Sequence, residues 1–332
     1  MTYLVPLPEG GRTDRLDLVD PFSSSVQRSI RRSGLASFEP ETAAALLALF
    51  EQADPDFVLY DVGANVGVYS AMAVAMFRPR AVHSFEPSPT TAEILAKIAR
   101  ANGGGITLHE CALSDTDGEA ALFLSPVSDA SNSMVAGFRE AAGEVMVRTR
   151  RLDDVVAETD MPPSIIKIDV ETHEPAVLAG ARETLKQHRP YVVVEVLYRA
   201  KRDLGAPIND AFAGLGYSYY ALDATPHWQA AERITGRKGI ARDWLLAPEP
   251  LSEDFIEHWR LWHERYLACD LAANPRPPIF KSVRRALERG AGREIVSTAV
   301  RFFRRELIPS LFTSTERLSN QLVRRFRPTD RP

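Results

Sequence analysis

Residues 59–70 read LYDVGANVGVYS: an apolar run that ends in an acid, two glycines framing an asparagine, and then a stretch with helical character. The segment as a whole predicts a strand, a tight turn and a helix, with Gly63 and Gly67 supplying backbone freedom where a side chain would obstruct. A turn of this kind usually wraps a pyrophosphate, and such sites carry G-x-G-x-x-G so that backbone N–H groups can close on it. Here Asn65 stands where the second glycine belongs, and Asp61 heads the turn with a charge that repels phosphate.

The pattern repeats to either side. AVHSFE (81–86) is a second apolar run ending in an acid, and SPTTAEILAKIARAN after it offers Ser88 as an N-cap and Pro89 at the first helical position. ITLHECAL (106–113) predicts a third strand, SIIKIDVE a fourth and YVVVEVL a fifth, with EPAVLAGARETLKQH as one helix between the last two. YSYYAL and DWLLA are placed to close the sheet, and EAALFL with EVMVRT predicts an antiparallel hairpin around a polar loop, Ser125–Gly137. Strand–helix alternation with continuous apolar strands means an α/β fold with a mostly parallel sheet covered on both faces.

Ligands of such sheets sit outside the carboxyl ends of the strands. The strand-end residues are Asp61, Glu86, the Ala112–Asp115 stretch, Asp169 and Glu195, a mostly acidic rim. An acidic rim suits a ligand with a cation, ribose hydroxyls and an adenine but no phosphate. Glu86 is placed to accept both ribose O–H groups, and S-adenosylmethionine carries all these features.

The chain has 332 residues, 45% hydrophobic and 25% charged, which are ordinary globular values. Its net charge of −4 argues against wholesale nucleic-acid binding. Two cysteines imply no disulfide framework, so a cytoplasmic setting fits. The first residues lack the pattern of a secretory signal, and no apolar run approaches the ~18 residues of a membrane span.

Charge divides the chain. Residues 281–332 hold thirteen Lys/Arg and five Asp/Glu, net +8, against −12 for the remainder. The predicted organisation is a helical lead-in over 1–56, a catalytic domain over 57–250 and a basic helical extension over 251–332. In the extension Val283, Leu287, Ile295, Val300, Phe303 and Leu307 recur among arginines, as in short amphipathic helices. They suggest packing on the acidic body, peripheral contact with the inner membrane surface, or contact with a partner protein.

DVGANVGVYS, FEPSP, CALSD, VRTRRLDDVV, IIKIDVETHEPAVLAGA and RPYVVVEV, in this order, resemble the FkbM family of S-adenosylmethionine-dependent methyltransferases across roughly residues 57–250. The resemblance implies a class I methyltransferase fold, Rossmann-like, with a seven-stranded sheet whose last strand is antiparallel. It also implies O-methylation of a sugar, glycan or natural-product hydroxyl. Carried over by position, Asp61, Gly63, Asn65 and Gly67 form the first cofactor motif, Glu86 binds ribose, and Ser114 and Asp115 lie where adenine is read. Asp169 and Glu171 match the D-x-E block, with Asp169 placed to position or deprotonate the acceptor.

His173 is a second candidate base, because imidazole titrates in the useful range. Glu171 and Glu195 would orient the acceptor, or else pair with Lys167 or Arg199. A scheme with Mg²⁺ on Asp169, Glu171 and Glu195 is the alternative for acidifying the acceptor hydroxyl; strand-end acids alone do not establish it. Thr172 departs from the family, which has glycine there, so either a wider turn or a Thr172 N-cap is expected. That departure favours a competing reading, a cofactor-binding scaffold working through its basic tail. Asn65 speaks against a third, a nicotinamide dehydrogenase.

Overall fold

The computed structural model describes residues 2–138, 140–198, 203–223, 226–236 and 242–273. The chain opens with a hairpin, β1 (Thr2–Pro6) and β2 (Arg15–Val19), followed by α1 (Ser25–Ser33) and α2 (Pro40–Gln52). The hairpin was not legible in a lead-in expected to be helical. Its inward residues, Val5, Leu16 and Leu18, are too few to announce a strand but pack into the main core.

The central alternation runs β3 (Val58–Val62), α3 (Val68–Met76), β4 (Ala81–Phe85), α4 (Pro89–Ala101) and β5 (Ile106–His109). The strand predicted over 106–113 breaks after His109. Its last residues form β6 (Ala112–Leu113), which joins β7 (Gly118–Leu124) and β8 (Gly143–Arg150) in a separate three-stranded sheet. Then come α5 (Leu152–Thr159), β9 (Ile165–Ile168), α6 (Glu174–Ala179), α7 (Arg182–His188) and β10 (Tyr191–Glu195). The single helix expected over 174–188 divides at Gly180, where an added Cβ would lie 2.0 Å from the Ser114 carbonyl. Finally α8 (Ala206–Phe212), β11 (Ser218–Leu222), β12 (Asp243–Ala247) and α9 (Glu253–Ala273) complete the described chain.

The seven-stranded sheet has the order β11-β12-β10-β9-β3-β4-β5, with β12 antiparallel to both neighbours and the other pairings parallel. This is the class I methyltransferase arrangement that the resemblance implies. From β3 the chain builds outward through β4 and β5, then returns to add β9 and β10 on the other side. The order therefore reverses between β3 and β9, and a crevice opens at their carboxyl ends.

Helix α2 is apolar on all sides, and Thr42 to Phe50 are buried without interruption. Such a helix needs cover on every face, and α9 provides much of it with Phe255, Trp259, Trp262 and Tyr266. Two polar groups at this contact are paired: Trp262 Nε1 donates to Glu51 Oε2 at 2.7 Å, and the Tyr266 hydroxyl donates to the Phe38 carbonyl at 3.0 Å. Helix α9 thus packs into the same compact unit as α2 and the hairpin. The basic segment 281–332 lies outside the described residues. No helix among the described residues is long and apolar enough to cross a membrane.

Trp262 is fully buried, so Trp262→Ala should cost about 3–5 kcal/mol in denaturant unfolding. A loss near zero would mean that α9 is dispensable to the body.

Candidate active site

The crevice holds a cavity of about 280 Å³. Its floor is set by the turn after β3. Gly63 has φ +73°, and a Cβ there would fall 1.9 Å from the Asp169 carbonyl oxygen, so only glycine lets the β3 and β9 loops meet. Gly67, at φ +76°, leads into α3 against Leu95. Asn65 takes the left-handed conformation at φ +51°, which asparagine tolerates better than most side chains.

Glu86, just past β4, faces this turn. Its carboxylate accepts from the Asn65 N–H and the Ser88 N–H, both at 2.9 Å, and its side chain lines the cavity. Burial raises its pKa to about 7 against the pull of those two donors. Asp61 is placed differently from the expectation that it would touch a ligand. Buried beneath the turn and absent from the cavity wall, it accepts from Ser70 Oγ at 2.6 Å, and Ser70 in turn meets Ser84 Oγ at 2.7 Å.

Ser114 and Asp115 also fall outside the wall, which in that region is Cys111, Ala112 and Leu113. Ser114 is drawn away because its N–H donates to the Arg150 carbonyl and its hydroxyl meets His173 Nε2 at 3.0 Å. Asp115 is exposed. Contact of either side chain with an adenine is therefore not what this arrangement offers.

Asp169, Glu171 and His173 do converge on the cavity. Lys167 Nζ donates to Asp169 Oδ2 at 3.1 Å and fixes that carboxylate. Burial opposes the charge on Lys167, but Asp169, Asp61 and Glu39 outweigh it and raise the ammonium's pKa. Burial lowers the His173 pKa, which favours the neutral imidazole. Glu195 lines the same wall 3.8 Å from Arg242, while Arg199 lies outside the described residues. Its pKa is pushed up to about 10 by burial and then by Asp169, Asp243 and Glu171. Among the described residues, no group of three or more His, Cys, Asp or Glu side chains is gathered as a metal ion would require.

Thr172 takes neither course expected of it. It keeps the left-handed conformation at φ +82°, directly after Glu171 at +51°, and the N-cap of α6 is His173. Two strained residues in succession cost on the order of 1–3 kcal/mol each. Glu174 holds them in place: its buried carboxylate accepts from the Thr172 N–H at 3.1 Å and the Val170 N–H at 3.3 Å. This clamp was missed in the sequence, where Glu174 reads as an ordinary first-turn acid.

The polar loop after β7 is tied at both ends. Asp129 Oδ1 accepts from the Ser25 N–H at 2.7 Å, and Ser133 Oγ donates to the Glu171 carbonyl at 2.7 Å. Asp129, Ala130, Ser131, Asn132 and Met134 thereby line the cavity. The lead-in contributes too. Glu39, from outside the repetitive region, lines the cavity and accepts from the Tyr69 hydroxyl at 2.8 Å. Sequence spacing gave no sign of it, since only tertiary packing brings α2 to the crevice.

Residues 61–219 match the family described as methyltransferase FkbM domain. They form an FkbM-family methyltransferase domain. The relatives of the FkbM domain include hexuronic acid methyltransferase AglP of Haloferax volcanii, 30% identical over 149 residues, covering 45% of this chain and 59% of that protein. The 31-O-demethyl-FK506 methyltransferase FkbM of Streptomyces tacrolimicus is 30% identical over 172 residues, covering 43% and 66%. The 2-O-methyltransferase NoeI of Sinorhizobium fredii is 32% identical over 163 residues, covering 43% and 64%. The chain thus spans 59% of the length of the first of these relatives. Among solved structures, methyltransferase FkbM from Methylobacillus flagellatus is 17% identical, with a TM-score of 0.40, covering 59% of this chain and 44% of that one.

The FkbM domain yields two predictions. Glu86 and Glu174 both have pKa values raised from 4.5 to about 7, in each case chiefly by burial. A raised carboxyl pKa stabilises the fold below the unfolded value, and that stability is lost as pH rises through the folded value. The ligand-free protein should therefore be more stable at about pH 5 than at about pH 8, with Glu174→Gln reducing the difference by on the order of 1–3 kcal/mol; identical pH profiles would refute this. Separately, Thr172→Gly should stabilise the protein by about 1 kcal/mol by relieving the left-handed strain, as read by thermal unfolding.

Proposed function

We propose that this protein is an S-adenosylmethionine-dependent O-methyltransferase whose acceptor is a hydroxyl of a sugar, glycan or natural product. The observation that carries the reading is the Glu86 carboxylate, held by two backbone N–H groups and facing the cavity beside a turn that only glycine can make. The residues fit that cofactor. Gly63 and Gly67 let the turn at the cavity's edge pack against the Asp169 carbonyl and Leu95. Glu86 would accept the ribose hydroxyls, and Cys111, Ala112 and Leu113 offer a largely apolar wall to a flat base. Buried Asn65 Oδ1 has no hydrogen-bond partner in the protein and would be satisfied by a ligand donor. Names of the relatives, which include a hexuronic acid methyltransferase and a 2-O-methyltransferase, support the acceptor class.

When bound, the cofactor supplies a methyl group made electrophilic by its sulfonium. The protein's own task is to align an acceptor hydroxyl and take its proton. Asp169, held by Lys167, would orient that hydroxyl and receive the proton. His173 is the other group able to do so, and its contact with Ser114 Oγ fixes the ring. The loop from Ser125 to Phe138, tied to α1 and to Glu171, would shield the reacting oxygen from water. Thr172 gives no support to a scaffold that has lost chemistry, because the loop keeps its left-handed turn.

Calorimetry and transfer of labelled methyl test this. Glu86→Ala should weaken S-adenosylmethionine binding by on the order of 10–100-fold. Asp169→Ala should leave binding within a few-fold and lower turnover by about 10²–10⁴. Unchanged binding in Glu86→Ala would remove the proposed ribose site.

A further inference from the structure

Beyond the cofactor end, the cavity has an unusual charge. Six carboxylates line it, namely Glu39, Glu86, Asp129, Asp169, Glu171 and Glu195, against Lys167 and Arg242 among the described residues. Lys167 is already engaged by Asp169 at 3.1 Å, and Arg242 is mostly exposed and stands 3.8 Å from Glu195. Glu39 is the distinctive member. It lies outside the FkbM domain, precedes Pro40 in a left-handed conformation, and is held by Tyr69. It is exposed to solvent and lines the cavity.

Resting on the methyltransferase reading, we infer that Glu39 completes an acceptor subsite with Asp169 and Glu195, and that this subsite selects acceptors bearing a cationic amine near the methylated hydroxyl. Repulsion among these groups supports the choice. Burial, followed by Asp169, raises the Glu39 pKa, and Asp243 behind them is pushed to about 8 by burial and then by Glu39. An entering ammonium relieves that repulsion, whereas an entering carboxylate adds to it. Among the described residues, the cations lining the subsite already stand beside carboxylates, which leaves a uronic acid no cation free to pair.

The test uses the full chain saturated with S-adenosylhomocysteine, whose binding is measured first. Failure of that step would count against the methyltransferase reading itself. Three probes are then titrated: methyl glucosaminide, methyl glucoside and methyl glucuronide. The inference predicts binding in that order, with the glucuronide at least about tenfold weaker than the glucosaminide. Glu39→Gln keeps the acceptor atom for the Tyr69 hydroxyl. It should shrink the preference for amine over acid several-fold while leaving S-adenosylhomocysteine affinity unchanged. Glu195→Gln provides a second reading of the same ratio if Glu39→Gln fails to fold.

Equal or reversed affinities overturn the inference. So does the absence of binding by all three probes to the saturated protein. A preference seen only without S-adenosylhomocysteine also overturns it, since the acids would then be serving the cofactor's own ammonium.

Discussion

The site depends on one close approach: the α-carbon of Gly63 lies against the carbonyl of Asp169, with no room for a methyl group between them. Parallel pairing of β3 with β9 brings the two strand ends level, and the missing Cβ lets their loops touch. That contact puts the glycine turn, which would receive the cofactor, next to the carboxylate that would receive the acceptor. A methyl donor and its target must meet in line, so the distance between these two loops sets what the cavity can do. The Lys167–Asp169 pair then aims the carboxylate, and the Glu174 clamp holds the strained turn that follows it.

The cost of the arrangement is electrostatic. Glu39, Asp61, Glu86, Glu174, Glu195 and Asp243 all have pKa values raised by burial. A chain selected for stability alone would not crowd carboxylates around one lysine. Their concentration at one end of the sheet is the mark of a site built for binding, where perturbed groups gather. The strain at Glu171 and Thr172 belongs to the same end of the molecule.

The sheet could be read from sequence because its strands are continuous apolar runs, each followed by an acid or a glycine turn. Asp169, Glu171, His173, Glu86 and the glycines were legible for the same reason: a parallel sheet carries its ligands at strand ends. Glu39 was not, because α2 meets the crevice only through packing with α3, β11 and α9. Asp61 and Ser114 misled because a strand-end position does not fix where a side chain points. Asp61 turned toward Ser70, and Ser114 toward His173. The breaks at Gly180 and after His109 escaped notice because hydrophobic spacing continues across both. In the first a backbone contact decides, and in the second a different partner strand does.

The most direct measurement is a pair of calorimetric titrations of the full chain, one with S-adenosylmethionine and one with NAD⁺. The two ligands share an adenosine but differ in whether sulfonium or diphosphate follows it. Saturable binding of S-adenosylmethionine with no heat from NAD⁺ is the result this account predicts. Binding of NAD⁺ alone would contradict it, since the acidic crevice would then be accommodating a polyanion.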